Sequence, residues 1–156
     1  MSTILLFHMD LTSSNSLISG RLILLDKDNS QILERYIATS GCPGYQSFDS
    51  QKVRGRGPIP AQYECGIGRY TVATKPIYMP QTKGVEGNFY KIDPHDVNIW
   101  GAGRGDFGIH ADKNVPGSAG CVVLTTDEGW KGFQKQMTQI ASTGVTSIPL
   151  LVSYAR

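Results

Sequence analysis

Long apolar runs are missing from this chain of 156 residues. None of its hydrophobic stretches approaches the ~20 residues that an α-helix needs to cross a bilayer, so we expect no membrane span. The first ten residues carry no basic segment and reach polar side chains after four apolar residues, Ile4–Phe7. A signal peptide is therefore not predicted here, and a protein acting outside the cytoplasm would need a carrier or a leader missing from this sequence.

An excess of charge of one sign is also missing. The chain has 15 Lys and Arg residues against 13 Asp and Glu residues, which leaves a formal net charge of +2. Nucleic-acid-binding domains usually carry a clustered basic surface, so no nucleic-acid partner is expected. The most basic stretch, Lys52–Arg56, is more typical of a solvated loop than of a phosphate site.

Cysteine is scarce and follows no familiar spacing. The three cysteines, Cys42, Cys65 and Cys121, are an odd number and leave at least one free thiol. A Cys42–Cys65 bridge stays open as an alternative, although nothing in the sequence marks an oxidising compartment.

The common motifs for metals and cofactors are absent as well. No C-x-x-C or H-E-x-x-H spacing occurs among the possible metal ligands, which are His8, His95, His110 and the three cysteines. There is no Walker loop for phosphates, and the glycines at positions 101, 103 and 105 do not match the dinucleotide fingerprint. We therefore predict neither a metal nor a cofactor, and a metal-dependent hydrolase is the least favoured function class.

Glycine, in contrast, is abundant. The chain contains 18 Gly and 8 Pro residues, and 40% of its residues are hydrophobic. This composition provides many turns and close backbone approaches, which favours a β-rich protein over a helical bundle. The length suits one domain with a core of reasonable size, so we predict a single domain over residues 1–156.

Strand-like segments open the chain as a meander and recur to its end. Predicted strands cover residues 3–7, 21–25, 32–39, 68–73, 77–79, 88–92, 108–110, 121–124 and 148–154. The stretch 40–60, rich in glycine and proline, is predicted as a long loop, and 101–105 as a flexible approach to the segment after it.

One helix is clear from the pattern. Thr125 and Glu128 have the spacing of a capping box, and Gly144 is a natural stop. Between them, apolar residues recur at intervals of three and four, as on one face of a helix: Trp130, Phe133, Met137 and Ile140. The predicted fold is mainly β, with this one helix packed on the sheet.

The most informative segment places His110 eleven positions before Cys121. A thiol becomes a strong nucleophile as the thiolate, and a nearby imidazole can accept its proton. Gly117, Ala119 and Gly120 have little or no side chain, so a substrate could approach closely, and peptide N–H groups could face a developing oxyanion. The alternative is that Cys121 is a small buried hydrophobic residue, as free cysteines often are.

Ser118 lies within the same small-residue stretch. Its hydroxyl could orient the histidine as part of the catalytic group. Alternatively, it could cap the turn before the cysteine. Both roles stay open at this point.

The order of these residues resembles the L,D-transpeptidase catalytic domain family (YkuD-like). That family carries a histidine followed by an S-x-G-C motif that ends in the nucleophile, as His110 and Ser118-Ala119-Gly120-Cys121 do here. Papain-like and NlpC-type peptidases place the cysteine before the histidine. The wider passages Gly103–His110 and Pro116–Cys121 look closest to a variant branch that includes peptidoglycan-editing toxins of type VI secretion systems.

The resemblance implies an L,D-transpeptidase-like β-sandwich or barrel that acts on peptidoglycan stem peptides. It implies Cys121 as nucleophile, His110 as base, and the N–H groups of Gly120 and Cys121 as oxyanion donors. From its chemistry, Arg104 could pair with a substrate carboxylate, since a guanidinium suits that geometry, or it could be a surface arginine. Gly117 and Ala119 are expected to border the substrate. The expected place of action is the periplasm or cell wall, with a secretion-system or phage carrier and an immunity protein as possible partners.

Three positions depart from the common family form. Ala119 stands where a second histidine is usual, Val123 where Arg or Asn is usual, and Ala111 where Gly is usual, while Ala119 agrees with the variant branch. These departures leave transfer and hydrolysis open as outcomes. They also keep a second function class, a non-catalytic wall-binding or phage-particle module on the same fold.

Overall fold

Strands dominate the structure. The computed structural model describes residues 2–113 and 115–156. It is 41% strand and 16% helix, and eight strands close into a β-barrel with one main helix in a single domain, which confirms the predicted fold class. The strands are β1 (Thr3–Asp10), β2 (Gly20–Asp26), β3 (Gln31–Ser40), β4 (Tyr70–Ala73), β5 (Ile77–Met79), β6 (Gly87–Asp93), β7 (Asp96–Ile99), β8 (Ala102–Gly105), β9 (Gly108–Ala111), β10 (Val122–Leu124) and β11 (Ser147–Ala155). The helices are a 3-10 helix (Phe48–Lys52), α1 (Gln62–Cys65) and α2 (Asp127–Ser142).

The barrel closes because β4 pairs with β6 as well as with β11. Around the wall the strands follow the order β4-β11-β1-β2-β3-β10-β9-β6. Two neighbouring pairs are parallel, β1 with β11 and β9 with β10, and the other pairs are antiparallel. Strand β5 extends the wall beside β6, and β7 and β8 form a separate hairpin.

The meander predicted for the first forty residues is confirmed. Strands β1, β2 and β3 pair in sequence order with antiparallel register. On β1 the alternate residues Leu5, Phe7 and Met9 are fully buried, while the residues between them are only partly buried. This period-two alternation places one face of the strand in the core, because successive side chains of a strand point to opposite faces.

Helix α2 begins one residue later than its predicted cap implies. The N-cap is Thr126, whose Oγ1 accepts a hydrogen bond from the Gly129 N–H at 3.0 Å; the predicted capping role of Thr125 is wrong. Phe133 and Met137 are buried as the apolar periodicity predicts, and α2 packs against β3, β9 and β10. No helix in the described part of the chain has the length and apolarity that a membrane crossing requires.

The β7–β8 hairpin was not predicted. The segment 101–105 was expected to be a flexible approach, but most of it is strand β8, paired with β7. Trp100 and Gly101 form the tip, and both have positive φ, +49° and +87°. Positive φ at both central residues is the type I′ arrangement that matches the twist of a hairpin. The usual signal for that turn is Asn-Gly or Asp-Gly, and Trp-Gly does not carry it.

Candidate active site

Parallel pairing of β9 and β10 brings His110 and Cys121 together. Val122 is the register partner of Ile109, so Cys121, immediately before β10, stands opposite Gly108. Side chains two residues apart share a face, which places His110 and Cys121 on the same side of the two strands. Both line one cavity of about 800 Å³.

His110 is held in one tautomer by the backbone carbonyl of the next residue, Ala111. The side chain is 5% exposed, and its Nδ1 lies 2.8 Å from the carbonyl oxygen of Ala111. A carbonyl can only accept, so Nδ1 carries the proton and Nε2 remains free to act as a base. Burial lowers the pKa of His110, with smaller opposing effects from the Ala111 carbonyl and from Asp112. The imidazole is therefore neutral near pH 7.

Phe89 on β6 fixes the plane of the imidazole. The two rings are stacked, with centroids 6.0 Å apart and an interplanar angle of 25°. The Phe89 ring also lies directly against the Cα of Gly108, where any Cβ would overlap it. Glycine at 108 therefore lets the aromatic ring approach β9 closely, next to the histidine.

Cys121 is a protonated thiol at rest. Burial raises its pKa to about 11; the Gly108 N–H, which hydrogen-bonds the sulfur, lowers it, and the Asp106 carboxylate raises it. The thiol also points at the Asp106 carbonyl oxygen, with an Sγ–O distance of 3.7 Å. A neutral thiol beside a neutral imidazole requires the proton to move to His110 as the sulfur attacks.

The turn before Cys121 is held by its carbonyl groups. Each of the four consecutive carbonyl oxygens from residue 118 to residue 121 accepts a hydrogen bond from a side chain. The donors, in chain order of the carbonyls, are Cys42 Sγ, Arg104 Nη2, Ser40 Oγ and Ser118 Oγ, at 3.3, 3.1, 3.2 and 2.6 Å. We call residues 118–121 the nucleophile turn. Its backbone is fixed from the carbonyl side.

Ser118 makes the contacts of a turn cap. Its Oγ donates to the Cys121 carbonyl and accepts from the N–H groups of Gly41 and Gly120 at 3.2 and 3.3 Å. Among the described contacts, no hydrogen bond joins Ser118 to His110. Of the two roles that the sequence left open, the structure places Ser118 in the second, which corrects its assignment as a catalytic residue.

Arg104 lies beneath the nucleophile turn rather than facing a substrate. It is 3% exposed, and its two terminal nitrogens donate to the carbonyls of Gln51, Gly57, Pro58 and Ala119. The guanidinium also lies over the Phe107 ring, 5.7 Å from its centroid. The expected pairing of Arg104 with a substrate carboxylate does not agree with these partners, because its hydrogen-bonding capacity is directed to the backbone.

Two glycines of the turn region are required by space as well as by φ. Gly117 has φ +76°, and a Cβ there would overlap the Gly41 carbonyl oxygen. Gly120 has φ +135°, and a Cβ there would lie 2.7 Å from Arg104 Nη2. Gly117 and Ala119 line the cavity together with Cys121, and their contact with a substrate stays a prediction.

The cavity beside Cys121 is mainly apolar with basic groups on its lining. Its apolar side chains include Ile77, Met79, Val85 and Phe89, and its basic ones are Lys83, Lys91, His95 and His110. A second cavity of about 350 Å³ shares Cys121 and is lined by Arg54 and Asp96. Cys121 therefore lines two spaces, one mainly apolar and one more polar.

Sequence reasoning missed Phe89 and Ser40. Neither belongs to a local motif, and only the register of β9 with β6, and of β10 with β3, brings them to the site. Asp112, two residues after His110, accepts a hydrogen bond from the Gly117 N–H at 3.2 Å, and burial raises the pKa of its carboxyl.

All three cysteines are free, so the Cys42–Cys65 bridge that the sequence left open is not formed. Cys42 lines the main cavity, and Cys65 Sγ lies 3.7 Å from the Tyr70 hydroxyl. Within residues 2–113 and 115–156, no three His, Cys, Asp or Glu side chains come together as a metal ion would need.

Comparison of the chain with protein-family models, curated proteins and solved structures finds no match. We therefore infer function from the geometry of the site and from the resemblance carried by the His110-to-Cys121 passage.

Proposed function

We propose that this protein is a cysteine-dependent acyl-transfer enzyme that acts on peptidoglycan stem peptides, as an L,D-transpeptidase, D-amino-acid exchanger or L,D-carboxypeptidase. The observation that carries the proposal is the placement of Cys121 and His110 on one face of two parallel strands, at one cavity. The tautomer of His110 supports it, since the free Nε2 is the nitrogen that a general base requires.

The first step of the proposed reaction forms a thioester. His110 Nε2 takes the thiol proton while Cys121 Sγ adds to the carbonyl of the L-centre in an L,D-peptide bond. The Cys121 N–H stabilises the oxyanion that develops on the former carbonyl oxygen. The Gly120 N–H, expected from the sequence as a second donor, is already bonded to Ser118 Oγ at 3.3 Å. When the intermediate collapses, the C–N bond breaks and the leaving amine takes the proton from His110.

The second step decides the outcome. An amine that attacks the thioester gives cross-linking or D-amino-acid exchange, whereas water gives carboxypeptidase action. In both cases His110 accepts a proton from the attacking group, and Cys121 leaves as the thiol once it regains that proton. The polar cavity next to Cys121 offers space for the acceptor, apart from the apolar cavity.

Charge complementarity supports a peptide that carries carboxylates. Lys83, Lys91 and His95 line the main cavity, and Asp106 is the one acidic residue among its described lining residues. Asp106 lies 3.2 Å from the His95 imidazole. Stem peptides carry free carboxylates, and their location places the proposed activity in the periplasm or at the cell wall, reached with a secretion-system or phage carrier.

The experiment is mass spectrometry of muropeptides after incubation with the protein, with and without an added D-amino acid. We expect loss or exchange of the terminal D-alanine, and no product from Cys121→Ala. Cys65→Ala is the matched control, because Cys65 contacts the Tyr70 hydroxyl and is not among the described residues that line the two cavities. Equal turnover by Cys121→Ala and the wild type would contradict the proposal.

A second candidate is a non-catalytic wall-binding module on the same fold. The raised pKa of Cys121, about 11, favours it, because little thiolate exists near pH 7. The two candidates differ in a simple measurement. A carbapenem adduct on the wild type that is lost in Cys121→Ala supports the enzyme, and binding to purified sacculi with no adduct supports the module.

A further inference from the structure

Ser40, at the end of β3, connects the interior of the protein to the nucleophile turn. Its side chain is fully buried. The Oγ accepts a hydrogen bond from the Ile59 N–H at 2.8 Å and donates to the Gly120 carbonyl at 3.2 Å. Because the hydroxyl accepts from one backbone N–H and donates to one backbone carbonyl, the direction of its O–H bond is fixed.

The orientation of the Gly120 carbonyl determines where the next N–H points. The carbonyl of Gly120 and the N–H of Cys121 belong to one peptide unit, and in a planar trans peptide they point in opposite directions. Ser40 draws the carbonyl toward the interior. The Cys121 N–H therefore points away from Ser40 and the interior. Cys121 itself lines both cavities.

We propose that Ser40 is a positioning residue that aims the Cys121 N–H at the oxyanion of the acyl-transfer step. This inference rests on the proposed function. The chain of hydrogen bonds from Ile59 N–H through Ser40 to the Gly120 carbonyl also polarises the peptide unit, since linked hydrogen bonds strengthen one another. Arg104 holds the preceding carbonyl in the same way, so two successive peptide units are fixed from the buried side.

The test compares two reactions at the same sulfur. With a carbapenem, an S–C bond forms, the ring C–N bond breaks, the nitrogen takes the thiol proton, and an oxyanion develops on the way. With iodoacetamide, an S–C bond forms, iodide leaves, the proton goes to solvent, and no oxyanion develops. Both rates are measured at Cys121 by mass spectrometry of the intact protein or of its peptides.

We expect Ser40→Ala to slow acylation by about tenfold, less than the 10²–10³-fold cost of deleting an oxyanion donor, because the N–H itself remains. Alkylation should stay within about twofold of the wild-type rate, since the thiol and His110 are unchanged. Thr39→Val is the matched control. Thr39 is the adjacent, equally buried residue, and its hydroxyl bonds Ile18 and Gln46 instead of the turn. Both rates should be retained in it.

Equal slowing of both reactions in Ser40→Ala would overturn the inference, because a loss of structure alone affects them alike. If that variant does not fold, Ser40→Cys replaces the hydroxyl with a weaker donor, and its ratio of acylation to alkylation must fall below that of the wild type. A wild type that is alkylated but not acylated contradicts the proposed function and this inference with it. If the wild type is acylated and Ser40→Ala is acylated at the same rate, the inference alone is contradicted.

Discussion

The meander (β1–β3) and the site region (β9, β10 and the residues beside them) differ in how their strands are buried. On β1, burial alternates along the strand, and a single face provides the core residues. On β9 and β10 every residue is buried, and helix α2 packs against both strands. The meander needs only a period-two pattern to form, whereas the site region needs partners from distant parts of the chain.

This difference separates stability from chemistry. The alternating strands bury large side chains and pair with their neighbours along the chain, so they supply hydrophobic free energy from local pairing. The site region contains Asp106, a residue other than glycine with φ +61°, and Gly120 with φ +135°. Unusual backbone conformations persist where the surrounding contacts determine them, and they tend to occur at functional sites.

The largest expected effect is on the rate of acylation, which should depend on a histidine of the site region and not on one of the meander. We expect His110→Gln to slow acylation of Cys121 by about 10²–10⁴-fold, the usual contribution of a general base. His110 must be neutral to accept the proton, and burial lowers its pKa from 6.5. The wild-type rate should therefore fall on acidification with a midpoint below pH 6.5, and His110→Gln should lack that fall.

The control for this prediction is His8→Gln on the meander. His8 contacts Asp10 and Ser153 on β1 and β11, away from the cavity. Its rate and pH profile should match the wild type. An acid limb that survives in His110→Gln would show that another group is the base.

A matched pair of phenylalanines sharpens the comparison next. Phe7 on β1 and Phe107 beside the site are both essentially buried. Replacing either with alanine should cost about 3–5 kcal/mol in the free energy of unfolding, measured by urea denaturation. Only Phe107→Ala should also slow acylation per folded molecule, because the ring supports Arg104 and lies close to Gly120.

Should either alanine variant fail to fold, the leucine variants of the same two residues provide the milder comparison. Equal acylation rates for the two variants would contradict the distinction between the meander and the site region, because Phe107 would then have a purely structural role.

The smallest expected effect concerns the helix that covers the site region. Thr126→Ala should lower the free energy of unfolding by roughly 1 kcal/mol, the usual cost of losing an N-cap. Thr125→Ala should cost less, because its hydroxyl makes only a 3.5 Å contact with the Ile37 carbonyl. Thermal denaturation of the two variants measures the difference, and the reverse ranking would return the cap to Thr125.

Sequence patterns predicted the elements whose signals are local. The meander and the buried face of α2 follow from alternation and from helical periodicity. The stretch 40–60, predicted as one long loop, contains the 3-10 helix Phe48–Lys52. The misplacement of the cap by one residue reflects two adjacent threonines, only one of which has a carboxylate three residues later. The β7–β8 hairpin was not predicted because Trp100 occupies a turn position that glycine or asparagine usually fills.

Of the site, only the central pair, His110 and Cys121, could be predicted from the sequence. The spacing of His110 and Cys121 pointed to the pair, and β9 and β10 place both at one cavity. The partners of Arg104 could not be foreseen, because three of its four carbonyls lie on the segment between β3 and α1, whose path depends on tertiary packing. The role of Ser40 depends on the pairing of β3 with β10, which joins residues far apart in the sequence.

The parallel pairing of β1 with β11 has a consequence for the order of events during synthesis. Every other element lies between these two strands in the chain, yet the barrel wall is continuous only when they meet. Of the described strands β11 is synthesised last, so the edge of β1 that pairs with it keeps unpaired backbone groups until then, and contacts of such long range slow folding. The nucleophile turn is thus complete in sequence before the barrel that supports it can close, and the site becomes competent only with the final strand.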